Sequence, residues 1–188
     1  MEKTYVSRGG IKLAAALEQF SVDPTGKICI DVGCSTGGFT DCLLQNGAKK
    51  VYAVDVGYGQ FAWKLRQDPR VVLFERQNFR YFDPKKIPDK IQLAVIDVIF
   101  ISLKMIFPAL APLLAEGARI LPLIKPQFEV AKGSVGAKGI VTDPKLHDEV
   151  VETIKQEGVS HGWKFIDVIP SPILGGEGNK EFLMLFQA

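Results

Sequence analysis

Asp31-Val-Gly-Cys-Ser-Thr-Gly-Gly-Phe-Thr-Asp41 is the stretch on which the reading of the fold depends. It follows the apolar run Ile28-Cys-Ile30 and leads into Phe39 to Leu44, whose apolar residues recur at helical spacing. Strand, glycine-rich turn and helix is the expected order. Gly33, Gly37 and Gly38 permit positive φ and close approach of the backbone to a ligand, as a nucleotide-type cofactor requires at the carboxyl end of a parallel strand.

Downstream, Val51-Tyr-Ala-Val-Asp55 reads as a second strand ending in an acid, about 20 residues beyond the turn, where a carboxylate accepts ribose hydroxyls. The competing reading is a loop-capping aspartate beside Gly57 and Gly59. A short helix from Phe61 to Arg66 stops at Asp68-Pro69, and Val71 to Phe74 is the third strand. Asn78 follows it. Its amide is suited to an adenine edge with Phe79 nearby for stacking, although asparagine after a strand is also an ordinary turn residue. Ile91 to Asp97 is a fourth strand ending in an acid, and Arg119 to Lys125 a fifth ending in a base, with a helix from Ser102 to Leu114 between them. Strands that are apolar on both faces belong to a covered sheet, so Asp97 and Lys125 are expected to emerge at one crevice.

Upstream, Ser7 to Phe20 begins with turn and capping residues and continues as a helix through Leu13, Leu17 and Phe20. Lys12 falls near its start, where the helix dipole disfavours a cation, so it is either solvated or partnered. Pro126 to Val141 is loop-like and suits a mobile lid or substrate arm. Asp143-Pro144 caps a helix to about Glu157, and Lys164 to Pro170 with Lys180 to Gln187 form an antiparallel hairpin. Glu181, at the margin of the apolar run Phe182 to Phe186, needs a partner.

Residues 1–188 are read as a single domain with an ordinary apolar content of 47%. The net charge of +2 does not by itself announce nucleic-acid binding. Cys29, Cys34 and Cys42 lack metal or redox spacing and read as reduced thiols, Cys34 as a small packing residue in the turn. His147 and His161 show no convergence on a metal or a triad, so no metal is expected. The amino terminus lacks a signal-peptide core, and Ile106 to Ile124 is broken by charges, glycine and prolines, so a cytoplasmic protein without a membrane span is expected.

The turn is neither Gly-x-Gly-x-x-Gly nor a Gly-Lys-Ser/Thr phosphate loop, which disfavours dinucleotides and nucleoside triphosphates. A nucleoside cofactor without pyrophosphate fits better, and S-adenosylmethionine is one, with its ribose near Asp55. Six ordered stretches then resemble the hemolysin A group of FtsJ-like RNA methyltransferases: Val6 to Leu13, Asp31 to Asp41, Val54 to Gln60, Phe100 to Leu103, Lys125 to Glu129 and Gly178 to Leu183. The resemblance runs through nearly the whole chain. It implies an α/β, Rossmann-like S-adenosylmethionine-dependent methyltransferase sheet of about seven strands, mostly parallel with one antiparallel strand in a C-terminal hairpin, and helices on both faces. It also implies 2′-O-methylation of ribosomal RNA by a Lys-Asp-Lys-Glu set falling on Lys12, Asp97, Lys125 and Glu181.

With the turn reading, the cofactor set is Asp31, Gly33, Cys34, Ser35, Thr36, Gly37, Gly38, Phe39, Asp55, Val56, Asn78, Phe79 and Asp97. A ribose hydroxyl is a weak nucleophile, so a lysine, here Lys125, is expected to accept or steer its proton. Lys12 would act on it as a like charge, with Asp97 and Glu181 orienting the ammonium groups. Arg8, Arg76, Arg80, Lys132 and Lys138 are the candidate RNA contacts, for ribosomal RNA or a ribosomal subunit as partner. Family members usually carry an amino-terminal S4-type RNA-binding domain, expected here from the full-length protein. Ile99 stands where the family usually has a small polar residue, so nearby substrate contacts are expected to differ. Base amino-methylation fits less well, because Asp97 is followed by Val-Ile-Phe, and no cysteine lies near the strand-four or strand-five tips for carbon-5 chemistry. Two other classes are a non-catalytic RNA- and cofactor-binding module, against which the four charged residues argue, and a membrane-active hemolysin, for which no spanning or strongly amphipathic basic helix is found.

Overall fold

The computed structural model describes residues 3–188. One seven-stranded sheet organises them, in the order β3-β2-β1-β4-β5-β7-β6. Its strands are β1 (Ile28–Val32), β2 (Lys50–Val54), β3 (Val71–Phe74), β4 (Ile91–Ile96), β5 (Leu114–Ile124), β6 (Lys164–Pro170) and β7 (Phe182–Gln187). β1 to β5 pair in parallel, and β7 runs antiparallel to both β5 and β6. The single reversed strand is therefore where the sequence places it, and it lies between its hairpin partner and β5.

Five helices cover the sheet: α1 (Gly9–Gln19), α2 (Gly38–Gln45), α3 (Trp63–Arg66), α4 (Leu103–Leu110) and α5 (Pro144–Ser160). Strand side chains alternate between the two faces. Cys29, Val51, Leu93 and Val95 pack with Leu13, Ala16, Leu17 and Leu43 of α1 and α2. Ile30, Tyr52, Ala94 and Ile96 pack with Ile106, Phe107, Leu110 and Ile154 of α4 and α5. Burial on both sides explains why these strands read as apolar runs rather than as an alternating pattern.

Three local expectations change. Ser7 does not cap α1; Arg8 holds the N-cap position without a side-chain hydrogen bond. The helix expected to reach Leu114 is α4 followed by a 3-10 turn at Ala111–Leu113, and β5 already begins at Leu114. Parallel pairing of Leu114 with Ile91 extends that strand through polar residues that single-sequence patterning assigns to a turn. Gly38 does not use positive φ: it is the first residue of α2, and a Cβ there would lie 2.1 Å from Ser7 Oγ and 3.0 Å from the amide nitrogen of Gly10. Its missing side chain lets the approach to α1 cross the start of α2. That approach is tied down where Val6 N donates to Asp41 Oδ2 at 2.9 Å.

Candidate active site

Sheet register brings the chemistry to one edge. Val32 is paired with Val54 and with Ile96, so the next residues, Gly33, Asp55 and Asp97, leave three adjacent strands at the same level. Two backbone bonds lock them: Gly33 N donates to Val54 O at 2.8 Å and Asp97 N to Val32 O at 2.8 Å. Ile124 is paired with Phe182, so Lys125 and Glu181 also leave the sheet side by side. This is the carboxyl edge of the parallel strands, where ligands of open α/β sheets gather.

The turn itself is built for backbone approach. Gly33 has φ +83°, and a Cβ on it would lie 2.2 Å from the Asp97 carbonyl oxygen, so no other residue fits between the tips of β1 and β4. Gly37 has φ +106° and abuts Leu65 and Phe61. Ser35 is also left-handed, at φ 49°, a conformation uncommon for a non-glycine residue. Its amide donates to Asp55 Oδ2 at 2.8 Å. Asp55 Oδ1 meanwhile accepts from Gly57 N at 2.7 Å and Gln60 Nε2 at 3.2 Å. Asp55 thus caps its loop and faces the crevice at once, and Oδ2 keeps an acceptor position beyond the Ser35 bond.

A groove of about 440 Å³ runs along these tips, lined by Gly33, Ser35, Asp55, Val56, Asn78, Phe79, Asp97, Ile99, Phe100 and Lys125 among others. A smaller recess of about 210 Å³, lined by Arg8, Lys12, Cys34, Thr36, Gly38 and Phe39, meets it at Gly33, Ser35 and Asp97. The larger groove has the size of a small-molecule site. Asn78 Oδ1 accepts from Arg80 N at 3.1 Å, so it serves as the turn residue, and Phe79 stacks on Phe82 with one edge in the groove. Apolar walls with carboxylates at Asp55 and Asp97 suit a cationic nucleoside. A cofactor of that kind fits the residues present.

Asp31 lies under the turn and not in its wall. It is fully buried on the α1–α2 face; Thr40 Oγ1 donates to Oδ2 at 2.7 Å, while Oδ1 has no partner. Burial pushes its carboxyl up to about 7, against the opposing hydrogen bond from Thr40. Cys34 is buried, which raises its thiol. That environment fits a packing residue rather than a nucleophile.

The four charged residues form two ion pairs. Lys125 Nζ lies 2.6 Å from Asp97 Oδ1 at the groove, and Lys12 Nζ lies 2.6 Å from Glu181 Oε2 in the interior. Lys12 is only 7% exposed, which rules out the solvated alternative, and Glu181, 2% exposed, has the partner its position demands. Each lysine stands in its own pair, and Asp97 borders both the groove and the recess that contains Lys12.

The candidate RNA residues are spread around the rim. Arg8 is exposed beside the turn, and Lys132 and Lys138 are exposed on the Pro126–Val141 segment, which consists of short 3-10 turns. Arg76 lies over the Tyr58 ring at 4.2 Å and Arg80 over Tyr81 at 5.2 Å, flanking the Gln77–Phe79 groove wall.

Sequence reasoning missed three features. Phe100 is 84% exposed at φ 60°, edge-on to Phe128, and presents an aromatic face at the groove mouth beside the exposed Ile99. Glu129 joins two stretches: Ser102 Oγ donates to it at 2.6 Å and Leu103 N at 2.9 Å, fixing the Asp97 and Lys125 loops to each other. Burial raises the Glu129 carboxyl against these two bonds. Asn179 is buried and binds the Pro126–Val141 segment. Charge and spacing gave no signal for Glu129 or Asn179, and the sequence around Phe100 gave none for its exposed, left-handed placement. Among the described residues no helix is long and apolar enough to cross a membrane, and no group of acidic, histidine or cysteine side chains could hold a metal.

The chain is similar to known proteins along nearly its whole length. The family described as FtsJ-like methyltransferase matches residues 5–188. YqxC of Bacillus subtilis is 55% identical over 184 residues, covering 96% of this chain, which spans 64% of that protein's length. The 16S/23S rRNA (cytidine-2′-O)-methyltransferase TlyA of Mycobacterium tuberculosis is 48% identical over 97% of this chain and 68% of its own. A solved structure from Streptococcus thermophilus that carries the hemolysin label superposes with TM-score 0.95 at 48% identity, over 100% of this chain and 68% of that one.

Proposed function

Because the chain belongs to the FtsJ-like methyltransferase family, we propose that it transfers a methyl group from S-adenosylmethionine to a ribose 2′-hydroxyl of ribosomal RNA. The observation that carries this reading is the Lys125–Asp97 pair, 2.6 Å apart where the cofactor groove meets the recess containing Lys12. A relative named for cytidine-2′-O-methylation of 16S and 23S rRNA, at 48% identity, supports the substrate class.

When bound, S-adenosylmethionine supplies an electrophilic methyl group on a sulfonium centre. Gly33 to Phe39 would hold its amino-acid end, Asp55 and Val56 its ribose, and Asn78 and Phe79 its base. Asp31 would support the turn from below through Thr40. Lys125, acting as the free amine, would orient the ribose hydroxyl and take up its proton, and Asp97 would hold Nζ in place before and the ammonium group after that transfer, so that the oxygen is presented in one geometry. Lys12 and Glu181 form the second wall. Their mutual neutralisation allows two charged groups to sit almost out of water beside the reacting hydroxyl.

Arg8, Arg76, Arg80, Lys132 and Lys138 are the proposed phosphate contacts, placed on separate segments around one opening. At a net charge of +2 they grip RNA weakly, and an S4-type domain of a longer protein would supply the remainder. Residues 1–188 form the catalytic domain in this reading, acting on ribosomal subunits in the cytoplasm.

The test is incubation of the chain with labelled S-adenosylmethionine and separate small and large ribosomal subunits, followed by nucleoside mapping. Label in a 2′-O-methylnucleoside is the expected result. No transfer to either subunit, even with an S4-type domain fused in front, would overturn the reading.

A further inference from the structure

Glu181 is seated by a turn that the charged residues do not explain. The β6–β7 connection folds back at Gly175, whose backbone carries no side chain because the Glu181 carboxylate occupies the space: a Cβ on Gly175 would lie 1.9 Å from Oε1. The turn is closed on itself where Gly175 N donates to Asn179 O at 2.8 Å and Ser171 N donates to Glu181 O at 2.8 Å.

Asn179 is 2% exposed and both ends of its carboxamide are used. Oδ1 accepts from Val141 N at 3.0 Å, and Nδ2 donates to Gly139 O at 2.9 Å. His147 Nε2 lies 2.8 Å from Val141 O and completes the attachment. One buried side chain therefore fastens the arm bearing Lys138 to the turn that walls Glu181.

We infer that Gly175 and Asn179 are positioning residues for the Lys12–Glu181 pair, Gly175 by leaving the seat of the carboxylate open and Asn179 by latching the turn to the Pro126–Val141 arm. The inference rests on the methyl-transfer reading above for its kinetic consequence and on hydrogen bonding alone for its structural one. Gly175 is not glycine for backbone reasons, since it is absent from the residues with positive φ. Alanine is compatible with its backbone, and the atom that must move is the far end of a flexible side chain. Gly175→Ala should thus fold, but with the carboxylate pushed away from Lys12.

The kinetic test uses the full chain. Gly175→Ala is expected to stay folded by circular dichroism with a lowered thermal midpoint, because the buried pair is weakened, to keep its affinity for S-adenosylmethionine by calorimetry, and to lose about 10- to 100-fold in kcat with little change in KM for the RNA. In a Glu181→Ala background the same substitution should cost nothing further, because the side chain it displaces is gone. Wild-type kcat for Gly175→Ala, or an equal loss in both backgrounds, overturns the inference.

The second arm does not depend on activity. Asn179→Ala should speed amide hydrogen exchange at Val141 and at Gly175, and unchanged protection at Gly175 overturns the latch. A wild-type chain that methylates no ribosomal RNA sinks the proposed function instead, and leaves the exchange experiment to decide the latch.

Discussion

Lys12 and Glu181 stand 169 positions apart in the chain and meet as a buried ion pair 2.6 Å long. The first comes from the opening helix and the second from the residue just before β7, the one strand that runs opposite to the rest of the sheet among the described residues. Removing either partner leaves the other charged and without water.

Lys12→Met is therefore expected to destabilise the fold by about 3 to 5 kcal/mol, the range for breaking a buried pair from one side. Lys12→Met combined with Glu181→Leu should recover part of that loss while remaining inactive. Urea denaturation monitored by circular dichroism measures both, and full stability of the single variant would contradict the burial described.

The Lys125–Asp97 pair is closer to solvent, and in the proposed mechanism it serves chemistry more than folding. Lys125→Ala and Asp97→Ala should each lower methyl transfer to ribosomal subunits by about 10²-fold or more with the protein still folded. Retention of wild-type transfer in either variant would remove that residue from the assignment.

Asp31 sets a pH dependence of known sign. Its carboxyl moves from 3.8 in the ordinary range to about 7 in the fold, because burial disfavours the charged form. Between those values the native state holds a proton that the unfolded chain has released, so stability contributed at this site declines as pH rises from about 4 to about 7 and is flat above. The full span is on the order of 4 kcal/mol. Subtracting the profile of Asp31→Asn from that of the wild type isolates the effect, and a difference that rises with pH would refute it.

Gly33→Ala places a methyl group against the Asp97 carbonyl oxygen at 2.2 Å and forces φ +83° on an L-residue. Backbone strain alone costs about 1 to 2 kcal/mol, and displacement of Asp97 should abolish S-adenosylmethionine binding by calorimetry. Unchanged affinity would show that the turn is not the cofactor cradle.

Arg76→Ala should weaken RNA binding and reduce the magnitude of the log-affinity against log-salt slope by about 0.7 to 1, as for one lost phosphate contact. Affinity measured at several salt concentrations separates this from a stacking loss at Tyr58, which would lower affinity without changing the slope.

The elements were legible where chemistry is local. β3 and β6 were readable to the residue, and the tips at Asp55, Asp97 and Lys125 were visible because parallel strands covered on both faces are apolar until they end. The pairing of Lys12 with Glu181 was legible only as two unexplained charges. Ser102–Glu129 and Asn179–Val141 were not legible at all, since an ordinary serine, glutamate or asparagine announces a partner 27 or 38 residues away by no pattern of spacing. Phe100 was hidden for another reason: nothing around it predicts a left-handed backbone at an aromatic residue.

The reversed strand also imposes an order on assembly. β1 to β4 and the glycine turn, all within residues 28–97, build one side of the groove, Ile99, Phe100 and Lys125 close it, and β7 must slot between β5 and β6 before Glu181 can reach Lys12. The groove and the two ion pairs are therefore finished together, only when residues from both ends of the chain have met in one sheet.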